Sequence, residues 1–253
     1  MTEDTVSFGA RDVPREEKEG LVRAVFDSVA TSYDAMNDLM SGGLHRAWKR
    51  VLIDRLNPQP GQRLLDVAGG TGDVALGFVA RAARREARGR GGASAVVCDI
   101  NHAMMAAGRD RADAAGAAVV RACGDAEALP FPDESFDAYT IAFGIRNVTR
   151  RGRALAEARR VLRRGGRFAC LEFSRPVTGG LTRLYDAYSD AIIPRLGRWA
   201  AGDEESYRYL IESIRRFPSQ DAFALEVEDA GLARVRAENL TGGVAALHMG
   251  WKL

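Results

Sequence analysis

A glycine-rich turn between an apolar segment and an alanine-rich segment is the first feature of the chain that could do chemistry. It runs Asp66-Val-Ala-Gly-Gly-Thr-Gly-Asp73. Glycines at a strand-to-helix turn let the backbone approach a ligand closely, and the following helix offers unpaired N–H groups. The spacing differs from the G-x-G-x-x-G of dinucleotide-binding proteins, and no Gly-Lys-Ser/Thr of a phosphate-binding loop follows. An acidic residue before the glycines would repel a pyrophosphate and favours a cationic ligand.

Two further carboxylates follow short apolar segments. Asp99 lies 27 residues after Gly72 and could accept hydrogen bonds from both ribose hydroxyls of a nucleoside, or cap the next helix. Asp125 could accept from the exocyclic amine of adenine, with the N–H of Ala126 at a ring nitrogen, or be a turn residue. Ligands of open α/β sheets bind at the carboxyl ends of the strands, so the three features together indicate one site. S-adenosylmethionine, with an ammonium group, a sulfonium and no phosphate, fits it.

The elements that must position these residues alternate between strand and helix. We predict helices around His102–Ala115 and Arg153–Leu162, and five strands: Arg63–Ala68, Ala95–Ile100, Val119–Ala122, Phe136–Phe143 and Arg167–Phe173. This alternation is typical of a parallel, doubly wound sheet. Two β-like segments, Arg234–Leu240 and Val244–Trp251, flank Thr241–Gly243 and predict a hairpin. The fold class is therefore α/β, a Rossmann-like class I S-adenosylmethionine-dependent methyltransferase with a seven-stranded, mostly parallel sheet and a C-terminal antiparallel hairpin.

We expect one domain over residues 1–253, because no internal repeat or low-complexity tract divides the chain. Residues 1–13 are predicted to be a loose tail. The remaining parts are an N-terminal helical extension (14–58), a cofactor-binding half (59–175), a helical substrate-side insertion (176–230) and the C-terminal hairpin (231–253). The insertion is either a lid that admits an apolar tail or a set of packed helices.

Composition and charge exclude several classes of protein. The 253 residues carry a net charge of +2, with 46% hydrophobic and 28% charged residues, which excludes wholesale disorder and a polyelectrolyte DNA coat. Cys98, Cys123 and Cys170 show no CxxC spacing, so we predict no metal site and three buried, reduced thiols. No secretory signal or membrane span is evident, which favours a cytoplasmic protein. No basic aromatic stripe is visible, which favours a protein that binds no nucleic acid. Peripheral membrane contact and a homodimer stay open.

Several segments from about residue 20 to the C-terminus carry a family resemblance. They include Leu65-Asp-Val-Ala-Gly-Gly-Thr-Gly-Asp73, Phe143-Gly-Ile-Arg-Asn-Val148, Leu171-Glu-Phe-Ser174 and Ser206-Tyr-Arg-Tyr-Leu-Ile-Glu-Ser-Ile214. These segments resemble the ubiquinone/menaquinone-biosynthesis C-methyltransferase family. The resemblance implies S-adenosylmethionine as methyl donor and a polyprenylated quinol as acceptor, either a 2-methoxy-6-polyprenyl-1,4-benzoquinol or a demethylmenaquinol.

The resemblance also implies site residues. Thr71, Asp99, Asp125 and Ala126 match cofactor contacts of the family, whereas Ala142 stands where the family often has Ser and lacks that hydroxyl. The full predicted cofactor set adds the glycine turn and the residue after Asp99: Asp66, Gly69, Gly70, Thr71, Gly72, Asp99, Ile100, Asp125, Ala126 and Ala142.

Carbon methylation of a quinol needs a nucleophilic ring, and loss of a phenolic proton provides it. A phenol pKa of about 10 leaves roughly 10⁻³ phenolate at pH 7, a cost of about 4 kcal/mol. A neighbouring cation or hydrogen-bond donor recovers part of that cost. Arg146 is predicted to stabilise the phenolate, directly or through water, and Asn147 to orient the ring. Because Arg is a poor base, water, an acidic neighbour or Tyr33 would take the proton.

Three alternatives remain at this point. The first is a methyltransferase for another lipid-like acceptor, such as a sterol or a phospholipid amine. The second is a non-catalytic binding or scaffold protein of a quinone-synthesis assembly, against which the intact glycine turn, Asp99 and Asp125 argue. The third is an RNA methyltransferase, although no basic aromatic stripe is visible.

Overall fold

The computed structural model describes residues 5–29, 38, 41–85, 92–109, 118–177 and 204–253. Within them the strands are β1 (Thr5–Phe8), β2 (Arg11–Pro14), β3 (Arg63–Val67), β4 (Ser94–Asp99), β5 (Val119–Cys123), β6 (Phe136–Ala142), β7 (Leu162–Phe173), β8 (Ala233–Leu240) and β9 (Ala245–Trp251). The α-helices are α1 (Arg15–Val29), α2 (His45–Leu56), α3 (Asp73–Ala83), α4 (His102–Ala107), α5 (Arg151–Val161), α6 (Glu204–Arg216) and α7 (Gln220–Asp229).

A seven-stranded sheet in the order β5-β4-β3-β6-β7-β9-β8 organises the described residues. The pairs β3/β4, β4/β5, β3/β6 and β6/β7 are parallel, whereas β9 is antiparallel to both β7 and β8. This confirms the predicted α/β class and the C-terminal hairpin. From β3 the chain proceeds to β4 and β5 on one side of the sheet, and β6 then pairs with β3 on the other side. At such a reversal, here between β3 and β6, a crevice forms at the carboxyl ends of the strands.

The core lies on both faces of the sheet because successive strand residues point to opposite sides. On β3, Leu64 packs with Leu52 of α2 and Phe78 of α3 in one apolar cluster. The next residue, Leu65, packs in the other cluster with Leu155 of α5 and with residues of α7. Two helical layers thus hold the sheet and fix the positions of its strand ends.

The N-terminus differs from the prediction of a loose tail. β1 and β2 form an antiparallel hairpin whose turn contains Gly9 at a φ of 57°. The hairpin is held by α6, because the Ala10 N–H donates to Glu212 Oε2 (2.7 Å) and Arg216 pairs with Asp12 (2.6 Å). Tertiary packing makes this short hairpin stable, since an isolated two-stranded hairpin is marginal in water.

Two smaller predictions were also wrong. β7 begins at Leu162, five residues before the predicted Arg167, because Leu162 already pairs with Phe136 of β6. Cys98 and Cys170 are buried as predicted, but Cys123 is exposed on the edge strand β5. In the described ranges, no helix is long and apolar enough to span a membrane.

The predicted helical insertion falls partly on α6 and α7, and residues 178–203 lie outside the described part. The domain division into extension, cofactor-binding half, insertion and hairpin stays a prediction.

Candidate active site

Asp66 lies at the carboxyl end of β3, directly before the glycine turn, and its side chain is buried. Its Oδ1 accepts a hydrogen bond from Thr140 Oγ1 on the neighbouring strand β6 (2.7 Å). Its Oδ2 makes no hydrogen bond to the described residues. Burial raises the pKa of Asp66 to about 7, and the bond from Thr140 opposes that shift.

The glycine turn folds back on itself and leads into α3. The Gly72 N–H donates to the Gly69 carbonyl (2.8 Å), and Gly72 caps α3 at a φ of 87°. Gly70 has a φ of 51°, and its N–H donates to Asp99 Oδ2 (2.8 Å). That positive φ strains any L side chain, and a Cβ on Gly70 would also lie 3.2 Å from Met104 Cε, so the turn favours glycine where it meets the end of β4.

Asp99 joins the turn to the next strand. Each of its oxygens accepts one backbone hydrogen bond, Oδ2 from Gly70 and Oδ1 from Asn101 (2.8 Å). Burial raises the pKa of Asp99, and these two N–H groups act in the opposite direction. Each carboxylate oxygen retains a lone pair, so Asp99 can still accept from two further hydroxyls.

The third predicted acidic residue follows β5. Asp125 Oδ1 accepts from the Glu127 N–H (2.9 Å), and Asp125 pairs with Ala128 in an isolated bridge. Glu127 in turn forms an ion pair with Arg150 (2.5 Å). The local turn therefore fixes Asp125 and Ala126 at the carboxyl end of the strand.

A pocket joins these strand ends to the residues that follow β6. Six predicted site residues line it: Gly70, Asp99, Ile100, Asp125, Ala126 and Asn147. The wall also contains Met104 and Phe143, which the sequence analysis did not select. Six predicted residues are outside the lining: Asp66, Gly69, Thr71, Gly72, Ala142 and Arg146. These six residues lie in β3, in the glycine turn, in β6 or in the short turn after it. Tyr33, the last predicted residue, lies outside the described residues.

Helix α1 covers this pocket, a position that sequence reasoning missed. Val22 and Phe26 contribute to the pocket wall. Near the start of the helix, Lys18 Nζ donates to the Val148 carbonyl (3.3 Å). Near its end, Asp27 accepts from Asn101 Nδ2 (2.8 Å). The apolar periodicity of α1 predicted a helix, but the periodicity does not say which surface the helix covers.

A buried ion pair shapes the far end of the pocket. Arg146 lies in a 3₁₀ turn, Ile145–Asn147, and its Nη1 donates to Glu172 Oε1 (2.7 Å) and to the Phe143 carbonyl (2.6 Å). Glu172 Oε2 also accepts from the Arg146 N–H (3.3 Å). The side chains of Arg146 and Glu172 are only 3% and 1% exposed. The guanidinium faces Glu172 and does not line the pocket, so the role of Arg146 in stabilising a phenolate, directly or through water, stays a prediction.

Asn147 is the polar side chain of this turn that reaches the pocket wall. Its Oδ1 accepts a hydrogen bond from the hydroxyl of Tyr209 on α6 (2.9 Å). The predicted role of Asn147 in orienting a substrate thus has a suitable position, next to Phe143, Gly144 and Val148.

The comparisons with known proteins identify one family, and the match covers almost the whole chain. Residues 11–252 match the model of the ubiE/COQ5 methyltransferase family. The chain belongs to the ubiE/COQ5 methyltransferase family. It is 58% identical to the ubiquinone/menaquinone biosynthesis C-methyltransferase UbiE of Methylobacterium nodulans, over 99% of this chain and 98% of the relative. It is 54% identical to the protein of that name from Caulobacter vibrioides, over the full length of both.

Solved structures support the fold of this family member. A SAM-dependent methyltransferase from Thermotoga maritima superposes with a TM-score of 0.58 at 20% identity, covering 91% of this chain and 99% of that one. A SAM-dependent methyltransferase from Aquifex aeolicus gives 0.57 at 16% identity, covering 81% and 89%. At these identities the similarity shows a methyltransferase fold.

Proposed function

We propose that this chain transfers a methyl group from S-adenosylmethionine to a ring carbon of a polyprenylated quinol. Its family and the names of its relatives in ubiquinone/menaquinone biosynthesis support this reaction. The observation that carries the proposal is the continuity of one pocket from Asp99 to Asn147. A donor held at the strand ends and an acceptor held beyond β6 would meet inside it.

The residues of the pocket fit S-adenosylmethionine. Asp99 offers two oriented oxygens for ribose hydroxyls, and Asp125 and Ala126 stand where an adenine would need an acceptor and a donor. The backbone at Gly70 comes close to the pocket because no Cβ intervenes. Asp99 and Asp125 put two carboxylates on the wall, which suits a cation, whereas the carboxylates of Glu19 and Glu127 are paired with Arg23 and Arg150. When bound, S-adenosylmethionine supplies an electrophilic methyl group.

The chain's own contribution at the acceptor end is a hydrogen-bond donor and a fixed geometry. The Asn147 carboxamide donates to a quinol oxygen and stabilises the negative charge that develops there as the phenolic proton passes to water, an acidic neighbour or Tyr33. Arg146 holds the turn through its bonds to Glu172 and Phe143, so it positions Asn147. The apolar side chains of Val22, Phe26 and Phe143 exclude water from the ring.

Transfer of a labelled methyl group tests the proposal. Purified protein is given labelled S-adenosylmethionine with a reduced short-chain 2-methoxy-6-prenyl-1,4-benzoquinol or with a reduced short-chain demethylmenaquinol. We expect label in at least one product, and the ratio shows which ring the enzyme prefers. Asn147→Ala is the matched variant, because it should lower transfer while leaving cofactor affinity within about twofold.

The other outcomes separate the alternatives. Cofactor binding without label in either quinol would overturn the proposed acceptor and favour another lipid-like one. No binding of S-adenosylmethionine would overturn the proposed donor and favour a non-catalytic protein. Peripheral membrane contact and a homodimer remain predictions, which vesicle flotation and the molar mass in solution would test.

A further inference from the structure

The phenol of Tyr209 is the hydrogen-bond partner of the Asn147 carboxamide. Its hydroxyl donates to Asn147 Oδ1 at 2.9 Å, and no described residue accepts a hydrogen bond from Asn147 Nδ2. The two residues are 62 positions apart, on α6 and on the 3₁₀ turn after β6. In the observed arrangement the hydroxyl donates to the amide oxygen, whereas a 180° rotation of the amide would require the hydroxyl to turn and accept from Nδ2 instead. The Nδ2 group is therefore left for a partner in the pocket.

The N-terminal hairpin packs against the ring of Tyr209. Its ring stacks on Phe8 of β1, with centroids 4.3 Å apart and planes at 25°. The Ala10–Glu212 hydrogen bond and the Arg216–Asp12 ion pair fasten the same hairpin to α6. Burial raises the pKa of Tyr209 to about 12, so the phenol keeps its proton and remains a donor at neutral pH.

The turn that carries Asn147 is fixed independently on its other side. Glu172 accepts from both the backbone N–H and the guanidinium of Arg146 (3.3 and 2.7 Å), and the Asn147 N–H donates to the Gly144 carbonyl (3.1 Å). These bonds fix the backbone of Asn147, but they do not touch its carboxamide. Among the described residues, Tyr209 is the only one that makes a hydrogen bond to that group.

We infer that Tyr209 is a positioning residue, which holds the Asn147 carboxamide with Nδ2 directed at the acceptor oxygen. The inference rests on the proposed function, because it takes the acceptor to be a quinol bound beside Asn147. Phe8 and the hairpin take part through Tyr209, which connects the N-terminal segment to the site.

A double-mutant cycle with Tyr209→Phe and Asn147→Ala tests the inference. We expect Tyr209→Phe to lower kcat for the quinol about tenfold, with the Kd for S-adenosylmethionine within twofold. In the Asn147→Ala background the same change should cost nothing further, since the group that it orients is gone. An equal loss in both backgrounds would overturn the inference, because the effect of Tyr209 would then not pass through Asn147.

Tyr139→Phe is the matched control. Tyr139 is equally buried, stacks on Phe168 and makes no hydrogen bond to the described residues. Its loss of a hydroxyl should leave kcat and the midpoint of thermal unfolding near those of the unmodified protein. Phe8→Leu keeps an apolar side chain but removes the stacked ring, and should lower kcat about two- to threefold.

A second readout does not depend on turnover. In NMR spectra of ¹⁵N-labelled protein, the side-chain amide signal of Asn147 is assigned by its loss in Asn147→Ala. In Tyr209→Phe this signal should move towards the chemical shift of a freely rotating amide, and in Tyr139→Phe it should not move. An amide signal that Tyr209→Phe leaves unchanged would overturn the inference. If the unmodified protein methylates neither quinol, the proposed function fails, and this signal alone still decides whether Tyr209 orients Asn147.

Discussion

Replacing Asp66 by Asn should flatten the dependence of stability on pH. Asp66 is 1% exposed, accepts from Thr140 Oγ1 at 2.7 Å, and has a second oxygen without a partner among the described residues. Burial raises its pKa from 3.8 to about 7. Asparagine has nearly the same shape, retains an oxygen for Thr140 and carries no titrating proton. The variant therefore isolates the cost of ionising this one carboxyl inside the fold.

The sign and size of the effect follow from linkage. Between pH 4 and pH 7 the folded protein binds a proton at Asp66 that the unfolded chain has released. The free energy of unfolding contributed by Asp66 therefore falls as the pH rises through this window, and the loss is complete above the folded-state pKa. The rise of the Asp66 pKa from 3.8 to about 7 corresponds to about 4 kcal/mol of unfolding free energy at most.

Urea unfolding at intervals from pH 5 to pH 8, without cofactor, measures this contribution. Burial also raises the pKa of Asp99 and of Glu172, so the quantity to compare is the difference between the variant and the unmodified protein at each pH. The variant should gain relative stability steadily between pH 5 and pH 7. Asp54→Asn, at a surface ion pair with Arg81, is the control and should show no such trend. Parallel curves for Asp66→Asn would refute the reasoning.

Three other perturbations test the remaining charged groups of the site region. Asp99→Asn places an NH₂ group opposite one of the two backbone N–H groups that now donate to Asp99, and it removes an acceptor for a ribose hydroxyl. Calorimetry should therefore show a Kd for S-adenosylmethionine that is about 10- to 100-fold higher, and a change below twofold would contradict this prediction. Glu172→Gln leaves the Arg146 charge buried without a carboxylate and should lower the free energy of unfolding by about 3–5 kcal/mol in urea; a loss below 1 kcal/mol would show that the ion pair does not form. Burial lowers the pKa of Lys18 to about 8, so between pH 8 and pH 10.5 the folded state binds fewer protons and stability should rise with pH relative to Lys18→Met; a constant difference would count against this.

The sheet and the part of the pocket lining at the ends of β3, β4 and β5 were predictable because their signals are local. Short apolar segments followed by Gly70, Asp99 and Asp125 identify strand ends, and a parallel arrangement brings such ends to one edge. All three residues line the pocket. Asp66 on β3 and Ala142 on β6 do not line it, since side chains alternate across a strand.

The N-terminal hairpin was not predicted, because residues distant in the sequence stabilise it. Gly9-Ala10 between two short alternating segments is a two-residue hairpin turn with glycine first, a signal that was present in the sequence. Its polar composition nevertheless favoured a tail, because the elements that make the hairpin stable, Glu212 and Arg216 on α6, come about 200 residues later. The position of α1 over the pocket was missed for the same reason.

The environment of Arg146 could not be predicted from the sequence, because residue spacing does not show which acidic side chain pairs with it. Arg146 follows β6 and Glu172 ends β7, and the register that aligns Ala142 with Leu171 brings the two side chains together. From the sequence alone a guanidinium after a strand end could serve a phenolate or a carboxylate. Burial decides between them, because a charge inside a protein is costly unless an opposite charge and hydrogen bonds compensate it. Glu172 compensates Arg146, and the polar side chain of this turn that lines the pocket is the neutral carboxamide of Asn147. With Asn147 as the proposed donor to the quinol oxygen, we therefore expect the orientation of this carboxamide to affect the reaction more than the charge of Arg146 does.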